Sequence, residues 1–344
     1  MEQGGGVMIR IILFAALAFA SLTVSHAVIK RDPMDVLRES QEAFEKRDYD
    51  KAAKLLTEAI ETNPKLTPAF VLRGLAYAAR NKPDEAIADY SRAIELAPDD
   101  ERPRLLRAAI HQARKDFDKA IADLDFALKK NPKNAELLAS RGICHAQKGD
   151  DEGALKDFDA AVAADPKNVQ SWQLRGSAYS EKGDKEKALS DFKEAISIDP
   201  NNPATYLYRA HLYLVEAEPE SALQDLEEVM QRAPDFPGAA NDYAWTLATN
   251  PKDSVRNGRK AVEFAKKACH ETDYKHAPTV DTLAASYAEA GEWEEAEKWQ
   301  QEAVKLAEKT HPDEVAGMRE RLAFFKEKKP FREVPKREKK KEKL

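Results

Sequence analysis

The 344-residue chain is 42% apolar and 34% charged with only 13 glycines, a mix that suits stacked amphipathic helices better than a sheet protein or a disordered chain. Its formal charge of −6 is unevenly spread, because residues 326–344 carry ten Lys or Arg against four Glu and leave −12 on the rest. An acidic body of this kind excludes broad nucleic-acid binding, which needs a basic face to neutralise phosphates. The two cysteines, Cys144 and Cys269, form no metal-knuckle or redox spacing and are expected to be buried thiols.

The N-terminus reads as a secretory signal over residues 1–27: Arg10, an apolar run from Ile11 to Ala20, and Ser25-His26-Ala27 as a small-x-small cleavage site. The apolar run is short for a bilayer span, so an uncleaved anchor is the alternative. Residues 28–32 are a linker. The expectation is an exported chain, placed in the periplasm, the cell envelope or outside the cell.

From Pro33 the chain repeats. Prolines stand at 64, 98, 132, 166, 200 and 234, always thirty-four residues apart. Ala52, Ala86, Ala120, Ala154, Ala188 and Ala222 keep the same period, as do Ala59, Ala93, Ala127, Ala161 and Ala195. Gly74, Gly142 and Gly176 form a further column with Ala108 and Ala210 between, while Tyr90, Phe158 and Phe192 supply bulk. Small residues at fixed phase let one helix approach the next closely. Within each period two helical patterns flank a turn signal, such as Asn81-Lys82-Pro83 or Gly149-Asp150, and the proline column stops the second helix. Each unit is therefore a helical hairpin, with units near 33–66, 67–100, 101–134, 135–168, 169–202 and 203–236.

After Pro234 the phase is disturbed. The alanine column returns five residues late, at Ala261, which predicts a seventh unit over 237–275 with a protruding loop from Asn250 to Gly258. An eighth unit follows over 277–310. An amphipathic helix over 312–327 offers Val315, Met318, Leu322 and Phe325 to the stack as a cap. Residues 328–344 are almost wholly charged, with Pro330 and Pro335 interrupting them, and are expected to be a disordered basic tail.

The most regular charged feature is Arg73, Arg107, Arg141, Arg175 and Arg209, each followed sixteen residues later by an aspartate: Asp89, Asp123, Asp157, Asp191 and Asp225. Sixteen residues spans one hairpin, so the two groups can pair through the planar guanidinium fork. Packing between units explains the repetition better than a charged binding track does. Cys144-His145 and Cys269-His270 invite a metal, but His111 and His145 occupy the place of Tyr77 and Tyr179 and read as core substitutions. Equivalent residues one unit apart cannot both reach a zinc ion at ~2.3 Å. His270-Glu271 begins a zinc-protease motif, yet Tyr274 stands where the second histidine is required. No nucleophile elbow or phosphate loop occurs. Neither an enzyme, a cofactor nor a metal is expected.

Trp172, Gly176, Tyr179, Ala188, Phe192, Ala195 and Pro200 together match a known pattern: the unit resembles the tetratricopeptide repeat signature. The resemblance covers five consecutive units from Thr67 to about Pro234, with a divergent first unit lacking the Gly and Tyr. It implies an all-α solenoid of about eight helix-turn-helix repeats in a right-handed superhelix, with a C-terminal capping helix. It also implies a concave groove, lined by the first helix of each unit, that takes a peptide or helix from a partner. Carried over place by place, the groove would present Val71, Leu75, Leu105, Ala109 and Ile143, then Gln173, Ser177, His211, Asn241 and Trp245. The Lys and Asn clamps with which some members hold a terminal carboxylate are absent from these places. Trp245 is the strongest candidate, with packing beneath the inserted loop as its alternative. The function expected is a non-catalytic interaction scaffold with an unidentified protein or peptide partner and no specific nucleic acid. The alternative is an assembly protein whose tail, Lys336 to Lys343, docks to anionic lipid, polysaccharide or nucleic acid.

Overall fold

The structure is a computed structural model that describes residues 33–333; the expected signal sequence, the linker over 28–32 and the last eleven residues of the basic tail lie outside the described residues. Seventeen α-helices run through the described chain in consecutive pairs. The first eight are α1 (Pro33–Glu45), α2 (Tyr49–Thr62), α3 (Thr67–Ala79), α4 (Pro83–Leu96), α5 (Arg102–Ala113), α6 (Phe117–Lys130), α7 (Ala135–Lys148) and α8 (Asp151–Ala164). They form four hairpins and one compact unit that closes at Ala164. The second unit begins at Asp165. It contains α9 (Val169–Lys182), α10 (Lys185–Ile198), α11 (Pro203–Val215), α12 (Pro219–Arg232), α13 (Ala239–Thr249), α14 (Gly258–Glu271), α15 (Ala277–Glu289), α16 (Trp293–Thr310) and α17 (Val315–Lys326). The all-helical, hairpin-paired architecture is the one the thirty-four-residue period predicts.

Each turn of the first six hairpins reverses through one residue in the left-handed region, again at a period of thirty-four. Arg47, Asn81, Lys115 and Ala217 have φ of 56°, 56°, 63° and 59°, and Gly149 and Gly183 fill the same place at 85° and 83°. Only glycine holds that conformation without steric cost. Side-chain caps start many of the helices: Asp48, Asn134, Asn168 and Asp184 each accept a backbone N–H from the third residue on. Pro83, Pro103, Pro203 and Pro219 sit in first turns, where the missing N–H costs nothing.

The core is a run of alanines. Ala52, Ala86, Ala120, Ala154, Ala188 and Ala222 are at most 1% exposed. Size is matched across each hairpin at an offset of sixteen residues. A Cβ on Gly74 would stand 2.5 Å from Tyr90, one on Gly142 2.5 Å from Phe158, and one on Gly176 2.8 Å from Phe192. Where the facing residue is a leucine, the small residue is alanine instead: Ala108 shares a packed cluster with Leu124, and Ala210 with Leu226. The alternation of Gly and Ala along the chain is thus the complement of the alternation of ring and leucine.

In the second unit the inserted segment does not protrude, contrary to the sequence expectation. A 3₁₀ turn over Asp253–Val255 puts Val255 into the interior at 5% exposure. Arg256 ties the segment down, donating through Nη1 to the carbonyls of Asn250 and Pro251 and through Nε to Glu289 at 3.0 Å. Gly258 abuts the end of α15 so closely that a Cβ would lie 2.5 Å from the Ala290 nitrogen. Helix α17 closes the second unit, with Met318 and Phe325 fully buried. Beneath it Gln300 Nε2 donates to the carbonyl of Met318 at 3.0 Å, and Arg321 pairs with the buried carboxylate of Asp281 on α15 at 2.8 Å.

Candidate protein-binding site

The arginine and aspartate columns belong to the scaffold. In every one of the five hairpins the pair is bidentate: Arg73 to Asp89 at 2.8 and 2.7 Å, Arg107 to Asp123 at 2.9 and 2.7 Å, Arg141 to Asp157 at 2.8 and 2.6 Å. Arg175 meets Asp191 at 2.8 Å twice, and Arg209 meets Asp225 at 2.8 and 2.7 Å. The aspartates are 3–5% exposed, and their hydrogen bonds hold the guanidinium groups of Arg73, Arg107, Arg141 and Arg209 further above the usual arginine range. Aromatic side chains one turn to either side cover the cation, as with Trp172 and Tyr179 around Arg175 or Tyr206 and Tyr213 around Arg209.

The guanidinium has a further role that sequence spacing did not disclose. Its remaining nitrogen reaches back sixteen residues to the preceding hairpin: Arg73 Nη1 donates to Thr57 at 3.1 Å, Arg107 to Ser91 at 2.8 Å and Arg141 to Asp125 at 2.5 Å. In the seventh hairpin Tyr243 replaces the arginine and its hydroxyl donates to Glu227, again sixteen residues back, at 2.5 Å. Phe264 replaces the aspartate, five places late because of the insertion, and packs edge-on against Tyr243 with ring centroids 4.9 Å apart. An aromatic pair has taken the place of an ion pair while the bond to the preceding hairpin is kept.

With the charged column assigned to packing, the first-helix faces remain. In the first unit Val71 and Leu75 lie one turn apart on α3, Leu105 and Ala109 one turn apart on α5, and Ile143 on α7; all five are half-buried. Leu75 leans on the Ala43, Phe44 and Ala52 cluster, and Leu105 on that of Ala108, Leu124 and Cys144. Each leaves part of an apolar side chain accessible.

The second unit presents polar groups. Ser177 is half-buried and His211 exposed, the latter bonded through Nε2 to Asp242 at 2.7 Å. Gln173 departs from its expected place: it is 8% exposed and its amide donates to Thr205 at 2.6 Å, so it joins α9 to α11 rather than lining a surface. Asn241 is half-buried, and its Oδ1 is sealed from solvent without a donor facing it.

Trp245 is half-buried, and it is met by residues from beyond the repeats. Residues 328–333, the described part of the tail expected to be disordered, return across the seventh hairpin. Phe331 lies 6.0 Å from the Trp245 ring, the indole N–H donates to Glu333 Oε2 at 2.6 Å, and the Arg321 guanidinium stands 5.5 Å from Trp245 and 5.4 Å from Phe331. The Glu333 backbone N–H donates to the carbonyl of Thr249 at 2.8 Å, and Arg332 forms an ion pair with Glu289 at 2.7 Å. These three partners of Trp245 escaped the sequence reading because they stand outside the repeat period. The lone aromatic following Pro330 in a charged run was the one signal of them.

The remaining reactive groups serve packing. Burial pushes the Cys269 thiol up to about 11 and raises Cys144, which accepts a hydrogen bond from Gln112 at 3.0 Å. His111 is 6% exposed and burial lowers its pKa. Among the described residues no three His, Cys, Asp or Glu side chains gather as metal ligands, and no helix is long and apolar enough to cross a membrane.

Eight consecutive helical hairpins among the described residues, five of them with this internal pattern, define a class. Models of the tetratricopeptide repeat match residues 37–101, 105–169, 169–202 and 279–314, and the chain belongs to the tetratricopeptide repeat proteins, which are generally non-catalytic scaffolds for protein–protein interaction. Among solved structures it is similar to yeast Tom70, at 19% identity and a TM-score of 0.61 over 92% of this chain and 69% of that one. It is also similar to a tetratricopeptide repeat protein from Parabacteroides merdae ATCC 43184, at 18% identity and a TM-score of 0.59 over 83% of this chain and 96% of that one. At such identities the likeness establishes the fold alone. No curated protein sequence matches the chain.

Proposed function

We propose that the protein is an exported, non-catalytic scaffold that holds an extended or helical segment of a partner protein on its first-helix faces. The observation that carries this reading is the division of labour within each hairpin. The buried alanine, Gly–ring and Arg–Asp columns account for packing, while Leu75, Ala109 and Ile143 stay half-buried at the same phase of successive first helices. Export rests on the sequence of residues 10–27 and places the partner in the periplasm, the envelope or the medium.

Affinity capture with the full chain, run beside a Val71→Ser plus Ile143→Ser variant, tests the reading. A protein retained by the wild type and lost by the variant, with both melting alike, supports the scaffold. Equal retention by both would overturn the placement of the site. The charge of residues 326–344 supports a second reading, docking to an anionic surface; binding of that kind disappears on deletion of residues 334–344 and weakens steeply with salt.

A further inference from the structure

We infer that the surface around Trp245 is a peptide site whose resident occupant is the chain's own Phe331-Arg332-Glu333, and that its external partner is an extended segment of the same chemistry, an aromatic residue followed by arginine and then a carboxylate. The inference rests on the protein-binding reading above and names the chemistry of one partner.

Each residue of the occupant uses a different group of the repeats. The Phe331 ring stands beside the Trp245 indole, and Arg321 lies within cation–π distance of both rings. Arg321 is itself held by the buried Asp281 through two nitrogens, Nε at 2.9 Å and Nη2 at 2.8 Å, so the aromatic slot is prearranged. Arg332 pairs with Glu289, the last residue of α15, and reaches the carbonyl of Ala248 at 3.4 Å. Glu333 takes the indole N–H through its carboxylate and gives its backbone N–H to the carbonyl of Thr249.

Ala248 and Thr249 belong to the last turn of α13, where carbonyls have no intrahelical donor and carry the negative end of the helix dipole. A cation and a backbone N–H are what such an end accepts. The recognition therefore combines a main-chain hydrogen bond with alternating side-chain pockets, as extended-peptide recognition does.

The return path of the resident segment is built to let go. Helix α17 ends in a reversal in which Lys329 N–H bonds Phe324 O and Lys328 N–H bonds Phe325 O, both at 2.9 Å. The pivot, Lys328, sits at φ 54°, a conformation that side-chain-bearing residues rarely adopt. Beyond the Phe331 ring, the contacts of Arg332 and Glu333 are polar, and Glu333 is exposed. A tethered segment nevertheless competes at an effective concentration on the order of millimolar, so an external segment binds weakly until the resident is displaced.

The test uses the full chain and a fluorescein-labelled, amide-capped peptide of Lys328-Lys329-Pro330-Phe331-Arg332-Glu333. A Phe331→Ala plus Arg332→Ala variant is expected to bind this peptide at least tenfold more tightly than wild type. Adding Trp245→Ala should remove the binding, and a scrambled peptide of the same composition should not bind. If the double variant melts well below wild type, Arg332→Ala alone repeats the comparison with a smaller expected gain. No gain in a variant that melts like wild type, or equal binding of the scrambled peptide, overturns the proposal. Either result leaves capture through Val71 and Ile143 untouched, so the two readings fail separately.

Discussion

The ring of Phe158 stands where a side chain on Gly142 would begin: a Cβ there would lie 2.5 Å from Cε1 and 2.8 Å from Cδ1. Gly142→Ala is therefore expected to destabilise the protein. Overpacking costs about 1–3 kcal/mol, against a helix-propensity gain of about 1 kcal/mol. Combining it with Phe158→Leu recreates the pairing of Ala108 with Leu124 and should recover most of the loss. Urea unfolding of the four proteins in this cycle measures the coupling, and additive effects would refute the size match.

Ala217 and Lys115 hold turn positions that Gly149 and Gly183 fill elsewhere. Ala217→Gly and Lys115→Gly should each relieve a left-handed residue worth roughly 1–2 kcal/mol, less the entropy that glycine adds to the unfolded chain. A gain of up to about 1 kcal/mol is expected at each site, and Gly183→Ala should lose a similar amount. Thermal melts of the three variants decide the matter; a loss on Ala217→Gly would contradict it.

Stability should fall on mild acidification. Burial lowers the pKa of His111 and, together with His311, of His276, so the folded state binds fewer protons than the unfolded state below the ordinary histidine value of 6.5. The neutral forms are fully favoured above that value, and the penalty grows as pH drops beneath it. Glu227 adds to the same trend lower down, because the Tyr243 hydroxyl holds its carboxyl below the usual range, a stabilisation lost on protonation. His111→Tyr, which restores the residue found at Tyr77 and Tyr179, should flatten the melting temperature between pH 7 and 5. An unchanged slope would assign the effect elsewhere.

The hairpins and their internal pairing were legible because each is written several times at one period, so a column of prolines, alanines or arginines averages out the accidents of any one unit. Pairing of Arg73 with Asp89 needed only the length of a hairpin. The third guanidinium contact was not legible, since Thr57, Ser91 and Asp125 share an oxygen and nothing else. The fate of residues 329–333 was hidden for the opposite reason. They occur once, in a run whose charge argues for solvation, and their partners Trp245, Thr249 and Glu289 lie 40 to 90 positions away in a part of the chain where the period is broken.

The bonds that join Arg73, Arg107, Arg141 and Tyr243 to the hairpin before them ask very little of that neighbour. Thr, Ser, Asp and Glu all serve, whereas the demanding fit of glycine to ring lies wholly within one hairpin. A hairpin therefore carries its own strict requirement with it and accepts almost any predecessor that offers an oxygen at the right phase. Such an array can be lengthened or shortened by whole units without redesigning its joints, and a partner surface can be remade one hairpin at a time.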